Sequence, residues 1–463
     1  MTPLWTSDEI AAATGGTASA RFEATGVTFD SREVGAGDLF VAMPGTVHDG
    51  HKFIDAAFAA GAAGAITAQA VAGPHVRVDD TFAALQALGR ASRERTNATI
   101  VGVTGSVGKT STKEALYAAL DRNRPGKVHR SVKSYNNHTG VPLSLARMPR
   151  DAEFGIFEMG MNNAGEIRAL TRQVRPNLAM ITAIAPAHIE NLGSEEAIAD
   201  AKAEIFEGLE GDAIAIVPNG TPHRDRLVKA ARRHADRIIT FGTGDADVHA
   251  IHAVSAEGSG SLISAVLLER ELTFTISQRG EHWVSNALAV LAAVEALGED
   301  VAVAGLALAD LGGLKGRGQR HLLELDGGEA LLIDESYNAN PASMAATLKS
   351  LGSETGVERR IAVLGPMREL GIHASRLHAA LAPAVLAANV DELVLVGDDM
   401  APLADALGGQ VHITKVADAG SAADALARLL RPGDAVLVKA SNSVGLSRVI
   451  ERLTKEIAEC SIS

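Results

Sequence analysis

Between Val101 and Lys113 the chain reads Val-Gly-Val-Thr-Gly-Ser-Val-Gly-Lys-Thr-Ser-Thr-Lys, and this stretch holds the residues best suited to chemistry. Gly105, Ser106, Val107 and Gly108 make a short turn whose backbone N–H groups can converge on one anion. Lys109 adds a point charge at the same spot, and the Thr110 hydroxyl offers an oxygen suited to Mg²⁺. The spacing is Gly-x-x-Gly-Lys-Thr; the longer Walker pattern would need a glycine at Val103. Such a cradle predicts a nucleoside triphosphate as its cargo.

A cradle of this kind needs a strand before it and a helix after it. The β-branched run from Thr99 to Val103 reads as a buried strand, and Lys109 to Leu116 reads as a helix. Further strands are expected at 154–157, 178–184 and 213–217, alternating with helical segments, which means βαβ units and a mostly parallel sheet. Ligands of such sheets gather beyond the carboxyl ends of the strands. Glu158 follows one strand and His188 lies just past another, so both reach the rim that carries Thr110. Triphosphate, carboxylate and imidazole on one rim point to Mg²⁺-assisted phosphoryl transfer. Residues 249–277 alternate like a hairpin and precede a helix at 285–291. The loop from Leu311 to Arg320 is glycine-dense and basic, as suits a hinge carrying phosphate ligands.

At 463 residues the chain exceeds what one core can serve. We read three α/β domains: a small mixed one over 1–95, a central P-loop domain with a mostly parallel sheet over 96–316, and a Rossmann-like one over 317–463. A net charge of -13 disfavours nucleic acid and anionic membrane surfaces as partners, so an anionic substrate must be met by local Lys and Arg. The only cysteine is Cys460, which excludes a disulfide framework. The first ten residues lack a basic region followed by an apolar core, and no apolar run is long enough to span a bilayer; the expectation is a cytoplasmic monomer. Physics alone reads Ser31 and Arg32 as a surface turn and Lys202 as a solvated lysine.

The chain resembles the Mur ligases of peptidoglycan and cell-wall synthesis over nearly its whole length. The resemblance rests on Asp30-Ser31-Arg32 with Asp49-Gly50-His51, on Gly105 through Ser111, on Asn136-Asn137 with Gly140-Val141-Pro142-Leu143, and on Glu158-Met159-Gly160-Met161-Asn162. It continues through His188-Ile189-Glu190, Lys202-Ala203-Glu204-Ile205 and Glu335-Ser336-Tyr337-Asn338-Ala339-Asn340-Pro341. It implies an ATP-dependent ligase that forms an amide bond between UDP-N-acetylmuramoyl-tripeptide and D-alanyl-D-alanine through an acyl phosphate. The first domain would hold the UDP-sugar peptide, the central domain ATP and the last the dipeptide, with Ser31 and Arg32 of the first domain and Asn136 and Asn137 of the central one as substrate contacts. By resemblance, Lys109 and Thr110 serve the phosphates and a first Mg²⁺, Glu158 is a metal ligand, His188 supports a second Mg²⁺, and Lys202 is carbamylated to become a metal ligand. Asn286, Arg317, Tyr337, Asn338 and Asn340 would contact the nucleotide, and Lys439 and Ser441 would lie near the acceptor. Two positions depart from the family pattern: Glu335 and Pro366 each stand where an aspartate is common. The rival readings are the relative that adds the third peptide residue, whose Asp-Asn-Pro-Arg motif is absent here, and a nucleotide-switched binding protein.

Overall fold

The computed structural model describes residues 3–45, 49–187, 189–255 and 260–460. Three α/β units follow one another, each built on its own main sheet.

The first unit has a five-stranded sheet in the order Thr17–Ala18, His75–Arg77, Gly64–Thr67, Asp38–Val41, Gly26–Thr28, parallel except at its first pair. The helix Thr81–Glu94 closes its core, and Leu143 and Ala146 of the helix Gly140–Ala146 pack into the same cluster. The first unit is therefore seated on the central one through apolar contact.

In the central unit, strand β1 (Thr99–Thr104) runs into helix α1 (Lys109–Asn123), followed by β2 (Phe154–Glu158), α2 (Glu166–Val174), β3 (Leu178–Ile181), α3 (Glu195–Ala203) and, later, α4 (Glu281–Ala296). The nine-stranded sheet has β1 between β2 and β3; the parallel series extends past β3 through Ile214–Pro218 and Arg237–Gly242 to Val248–Ser255. Alternation along β1 sends Val101 and Val103 into a core under α1 and α4, and Ile100 into the opposite core with Phe157 and Ile198. Both faces of the sheet are covered, as a parallel sheet requires.

Two details differ from the sequence expectation. The 249–277 region forms three antiparallel strands, Val248–Ser255, Ser261–Leu267 and Arg270–Ile276, that continue the same sheet, because the alternation persists through a tight turn at Leu268. Strand β3 stops at Ile181 and does not reach 184, since Thr182, Ala183 and Ala185 turn away to bond the loop after β1.

The last unit carries a six-stranded sheet. β4 (Gly328–Glu335) leads into α5 (Pro341–Gly352), and β5 (Asp434–Lys439) lies between β4 and Arg359–Leu364. Gln319–Leu325 pairs antiparallel with β4 at one edge, and all other pairs are parallel. Among the described residues, no helix is long and apolar enough to cross a membrane.

Candidate active site

The turn between β1 and α1 is fastened from below. Ser106 N donates to Ala183 O at 2.8 Å, Ser106 Oγ donates to Ala185 O at 2.9 Å, and Thr182 Oγ1 donates to Val107 O at 2.5 Å. Gly108 opens the helix with φ +82°, and a Cβ there would lie 2.7 Å from Asn286 Oδ1, so a left-handed conformation and a close approach both require glycine. The Lys109 ammonium folds over the turn and donates to Gly105 O at 2.7 Å. Burial pushes Lys109 below the usual lysine range, while Glu158 pulls it back up.

Glu158, the last residue of β2, is 1% exposed. Its Oε2 accepts from Thr110 Oγ1 at 2.9 Å and its Oε1 from Asn136 Nδ2 at 2.7 Å. The buried Lys113 ammonium stands 4.0 Å from Oε2 and donates to Ser131 O and Lys133 O at 2.8 and 2.6 Å. Carboxylate and hydroxyl thus share the floor of the cradle, with a cation beneath them.

Above this floor lies a cavity of about 520 Å³ between the central and last units, a size that suits a nucleotide-like ligand. The central unit lines it with Ser106 through Ser111, Asn136, Asn137, Glu158 and Asn286, and the last unit adds Arg317, Tyr337, Asn338 and Asn340. The Arg317 guanidinium lies 4.3 Å from the centre of the Tyr337 ring. Lys439 also faces the cavity and donates to Glu335 Oε2 at 3.3 Å and Asn338 O at 3.0 Å; burial lowers its pKa, and Glu335 opposes the shift. Glu335 and Lys439 are direct partners in the β4–β5 register. Three cations drawn from two units therefore converge on one space, in a chain that is acidic overall.

Two asparagines are committed to helix ends. Asn340 Oδ1 accepts from Ser343 N at 2.9 Å in the capping box of α5, and Asn137 Oδ1 accepts from Gly140 N at 2.9 Å. Lys202 does not line the cavity; it is 1% exposed and has no hydrogen-bond or ion-pair partner among the described residues. Burial pushes its amine well below the usual lysine range, and the Lys109 charge pushes it further. Solvation, the expectation from sequence physics alone, is thus replaced by burial. Ser441 stands back from the cavity: its Oγ accepts from Arg368 N at 2.9 Å and its N–H donates to Pro366 O at 3.2 Å.

Ser31 and Arg32 are not brought into this cavity. Arg32, 86% exposed, clamps Asp30 with Nη2 at 2.6 Å from Oδ2 and holds that carboxyl down to about 2. The neighbouring Glu33 pairs with Lys133 and accepts from Tyr135 Oη at 3.3 Å, next to Asn136 in the chain. His188 lies outside the described residues.

His282 and Trp283 also line the cavity, and sequence reasoning missed them. They sit four and three residues before Asn286 on α4, so helical periodicity from Asn286 would have found both. Lys113, four residues after Lys109, was legible by the same rule.

The donor set fits a hard divalent cation. Among the described residues no group of three His, Cys, Asp or Glu converges, yet Glu158 and Thr110 offer the one or two oxygens that Mg²⁺ takes from protein when phosphates and water complete its shell. A glycine-turn cradle, a buried carboxylate at its floor and cations delivered by a further α/β unit make up the site of a P-loop nucleotide-dependent enzyme, here built from three α/β units. Family models agree along the chain: "Mur ligase family, catalytic domain" matches residues 23–104, "Mur ligase middle domain" 103–294 and "Mur ligase, glutamate ligase domain" 316–442. The chain belongs to the Mur ligase family. It is 37% identical to the UDP-N-acetylmuramoyl-tripeptide--D-alanyl-D-alanine ligase of Synechocystis, covering 92% of this chain and 91% of that one. Its identity to the Bacillus subtilis protein of the same name is 34%, over 92% and 93%. The MurF crystal structure from Acinetobacter baumannii superposes with a TM-score of 0.84 at 28% identity, covering 97% and 99% of the two chains. MurF ligase from Thermotoga maritima in complex with ADP superposes at 0.78 with 29% identity, covering 94% and 98%.

Proposed function

We propose that this protein joins D-alanyl-D-alanine to UDP-N-acetylmuramoyl-tripeptide at the expense of ATP, with residues 1–95, 96–316 and 317–463 as its working domains. One observation carries the reading: Lys109 from the central unit and Arg317 from the last face the same cavity above Thr110 and Glu158.

The terminal carboxylate of the tripeptide attacks the γ-phosphorus of ATP, forming an O–P bond and releasing ADP. Both reactants are anions, and Lys109, Arg317 and Lys439 reduce their repulsion. The neutral amine of the dipeptide then attacks the acyl phosphate carbonyl; the C–O bond to phosphate breaks, the amine loses its proton, and phosphate leaves. Enclosure between two units holds the amine near the carbonyl and keeps water away. Asn286 and Tyr337 stand where they can bracket the nucleotide, and Ser31, Arg32, Asn136 and Asn137 are assigned to the UDP-sugar peptide.

Thr110 and Glu158 would hold one Mg²⁺, and His188 with Lys202 a second; the ions would neutralise charge on the triphosphate. An ammonium cannot serve there. Burial lowers the pKa of Lys202 and so favours loss of its proton; the free amine would add to CO₂ and lose a further proton, leaving a carbamate whose oxygens are hard anionic donors.

The deciding measurement is phosphate release with UDP-N-acetylmuramoyl-tripeptide, offering D-alanyl-D-alanine or single amino acids. Release with the dipeptide alone is expected. Release with a single amino acid would favour the relative that adds the third residue, and release without any amine a nucleotide-switched binder. ¹⁸O placed in the tripeptide carboxylate should appear in phosphate, and its retention in the peptide would exclude the acyl phosphate.

A further inference from the structure

Arg317 sits on a tight turn whose shape is imposed by one buried carboxylate. Arg317 N donates to Leu314 O at 2.7 Å, and the residues on either side, Gly316 and Gly318, have φ of +73° and +81°. Gly316 lies against Tyr337 so closely that a Cβ would come 2.7 Å from the tyrosine Cβ. A turn flanked by two glycines has many conformations open to it, so a single one is held only by an outside anchor.

Asp334 provides one. It is the penultimate residue of β4, 1% exposed, and its Oδ2 accepts from Gly316 N at 2.8 Å. Its own carbonyl accepts from Gly318 N at 2.9 Å, so the same residue grips the turn on both sides of Arg317. Oδ1 is occupied by Ser336, from N at 3.1 Å and from Oγ at 2.6 Å. Tyr337 N donates to Gly316 O at 3.2 Å and completes the clasp.

Among the described residues all hydrogen-bond donors to this carboxylate are neutral. Burying a charge is costly unless it is fully hydrogen-bonded, and a plain β-strand end has no need of one. Successive strand residues point to opposite faces, so Asp334 turns to the hinge while Glu335 turns to Lys439 and the cavity. An aspartate that takes the Gly316 amide on its carboxylate and the Gly318 amide on its carbonyl, one on each side of Arg317, is a preorganising device: it sets where the guanidinium stands over the Tyr337 ring.

We infer that Asp334 is the positioning residue for Arg317, fixing the hinge turn so that the guanidinium enters the cavity already aimed at the transferring phosphoryl group. The inference rests on the role proposed above for Arg317.

The test uses the full-length protein and four variants: Arg317→Ala, Asp334→Asn, their double, and Ser336→Ala. Asparagine keeps the size of Asp334 but puts an amide N–H against a donor it must accept. Phosphate release at saturating co-substrates should fall about 10- to 100-fold in Asp334→Asn, with the KM for ATP within about 3-fold of wild type. The double variant should be no slower than Arg317→Ala, because a residue that acts through Arg317 has nothing to add once Arg317 is gone. If the two losses multiply, or if Asp334→Asn keeps full kcat while Arg317→Ala is impaired, the inference is overturned and the proposed function stands. If Arg317→Ala turns over like wild type, the phosphate role of Arg317 fails, and this inference with it. Should Asp334→Asn not fold, Ser336→Ala decides: losing the hydroxyl that orients Asp334 should cost kcat about 3- to 10-fold, again absorbed in the Arg317→Ala background.

Discussion

Thr110 Oγ1 donates to Glu158 Oε2 across 2.9 Å, tying the first turn of α1 to the last residue of β2. The two residues are 48 apart in the chain and meet because β1 and β2 are parallel neighbours, with Glu158 opposite Val103 in register. A hydroxyl and a carboxylate so placed have a shared ligand as their natural third party.

Thr110→Val should cost about 1–3 kcal/mol of stability, because the buried Glu158 loses a donor, and lower phosphate release on the order of 100-fold, since valine keeps the shape and removes the oxygen. Magnesium titration of the residual activity checks it. A variant that needs no more magnesium than wild type and turns over as fast would remove Thr110 from the metal site.

Lys202 should make turnover depend on dissolved CO₂. Depleting bicarbonate should depress phosphate release in the wild type, and adding it back should restore activity, while Lys202→Ala should stay inactive in both. Carbon-13 bicarbonate should give a carbamate signal in the wild type only. Indifference of the wild type to CO₂ would end the carbamate proposal.

Burial pushes His129 from its usual 6.5 down to about 4, with Nε2 lying 2.7 Å from Ser144 O. The unfolded chain takes up this proton near 6.5 and the folded one only near 4, so between these values the unfolded state holds more protons and stability falls as pH falls. His129→Phe should flatten that decline. Melting midpoints at pH 7 and pH 5 measure it, and an equal drop in both proteins would show that another group carries the dependence.

Glu354, 2% exposed, lies between Arg320, bonded at 2.8 Å through both carboxylate oxygens, and Arg279 at 3.2 Å. Arg279 precedes α4 in the central unit and Arg320 opens the last sheet, so one carboxylate joins the two units behind the cavity. Glu354→Ala takes the shared anion from the buried Arg279 and the half-buried Arg320, and it should destabilise by about 3–5 kcal/mol. Chemical denaturation measures this, and a loss below about 1 kcal/mol would mean that solvent already reaches the triad.

The order of residues alone was enough to locate the glycine turn between strand and helix, the parallel sheet behind it and the irregular connection at 311–318, because each is a local pattern: a glycine turn between a β-branched run and a helix, strands alternating with helices, glycines beside basic residues. The motifs of the resemblance were local in the same sense. Other features were settled only when the chain folded. Whether Lys202 is solvated depends on what packs over α3, and its burial cannot be read from the helix in which it sits. Asn137 and Asn340 line the cavity, and only the fold shows that their carboxamide oxygens also brace helix ends. Ser31 and Arg32 lie outside the cavity, on a turn where Arg32 pairs with Asp30 while Glu33 reaches Lys133 of the central unit. Asp334 gained its meaning only when β4 brought it beneath Gly316, since the hydrogen-bond geometry that links a carboxylate to a turn is a property of space and not of spacing.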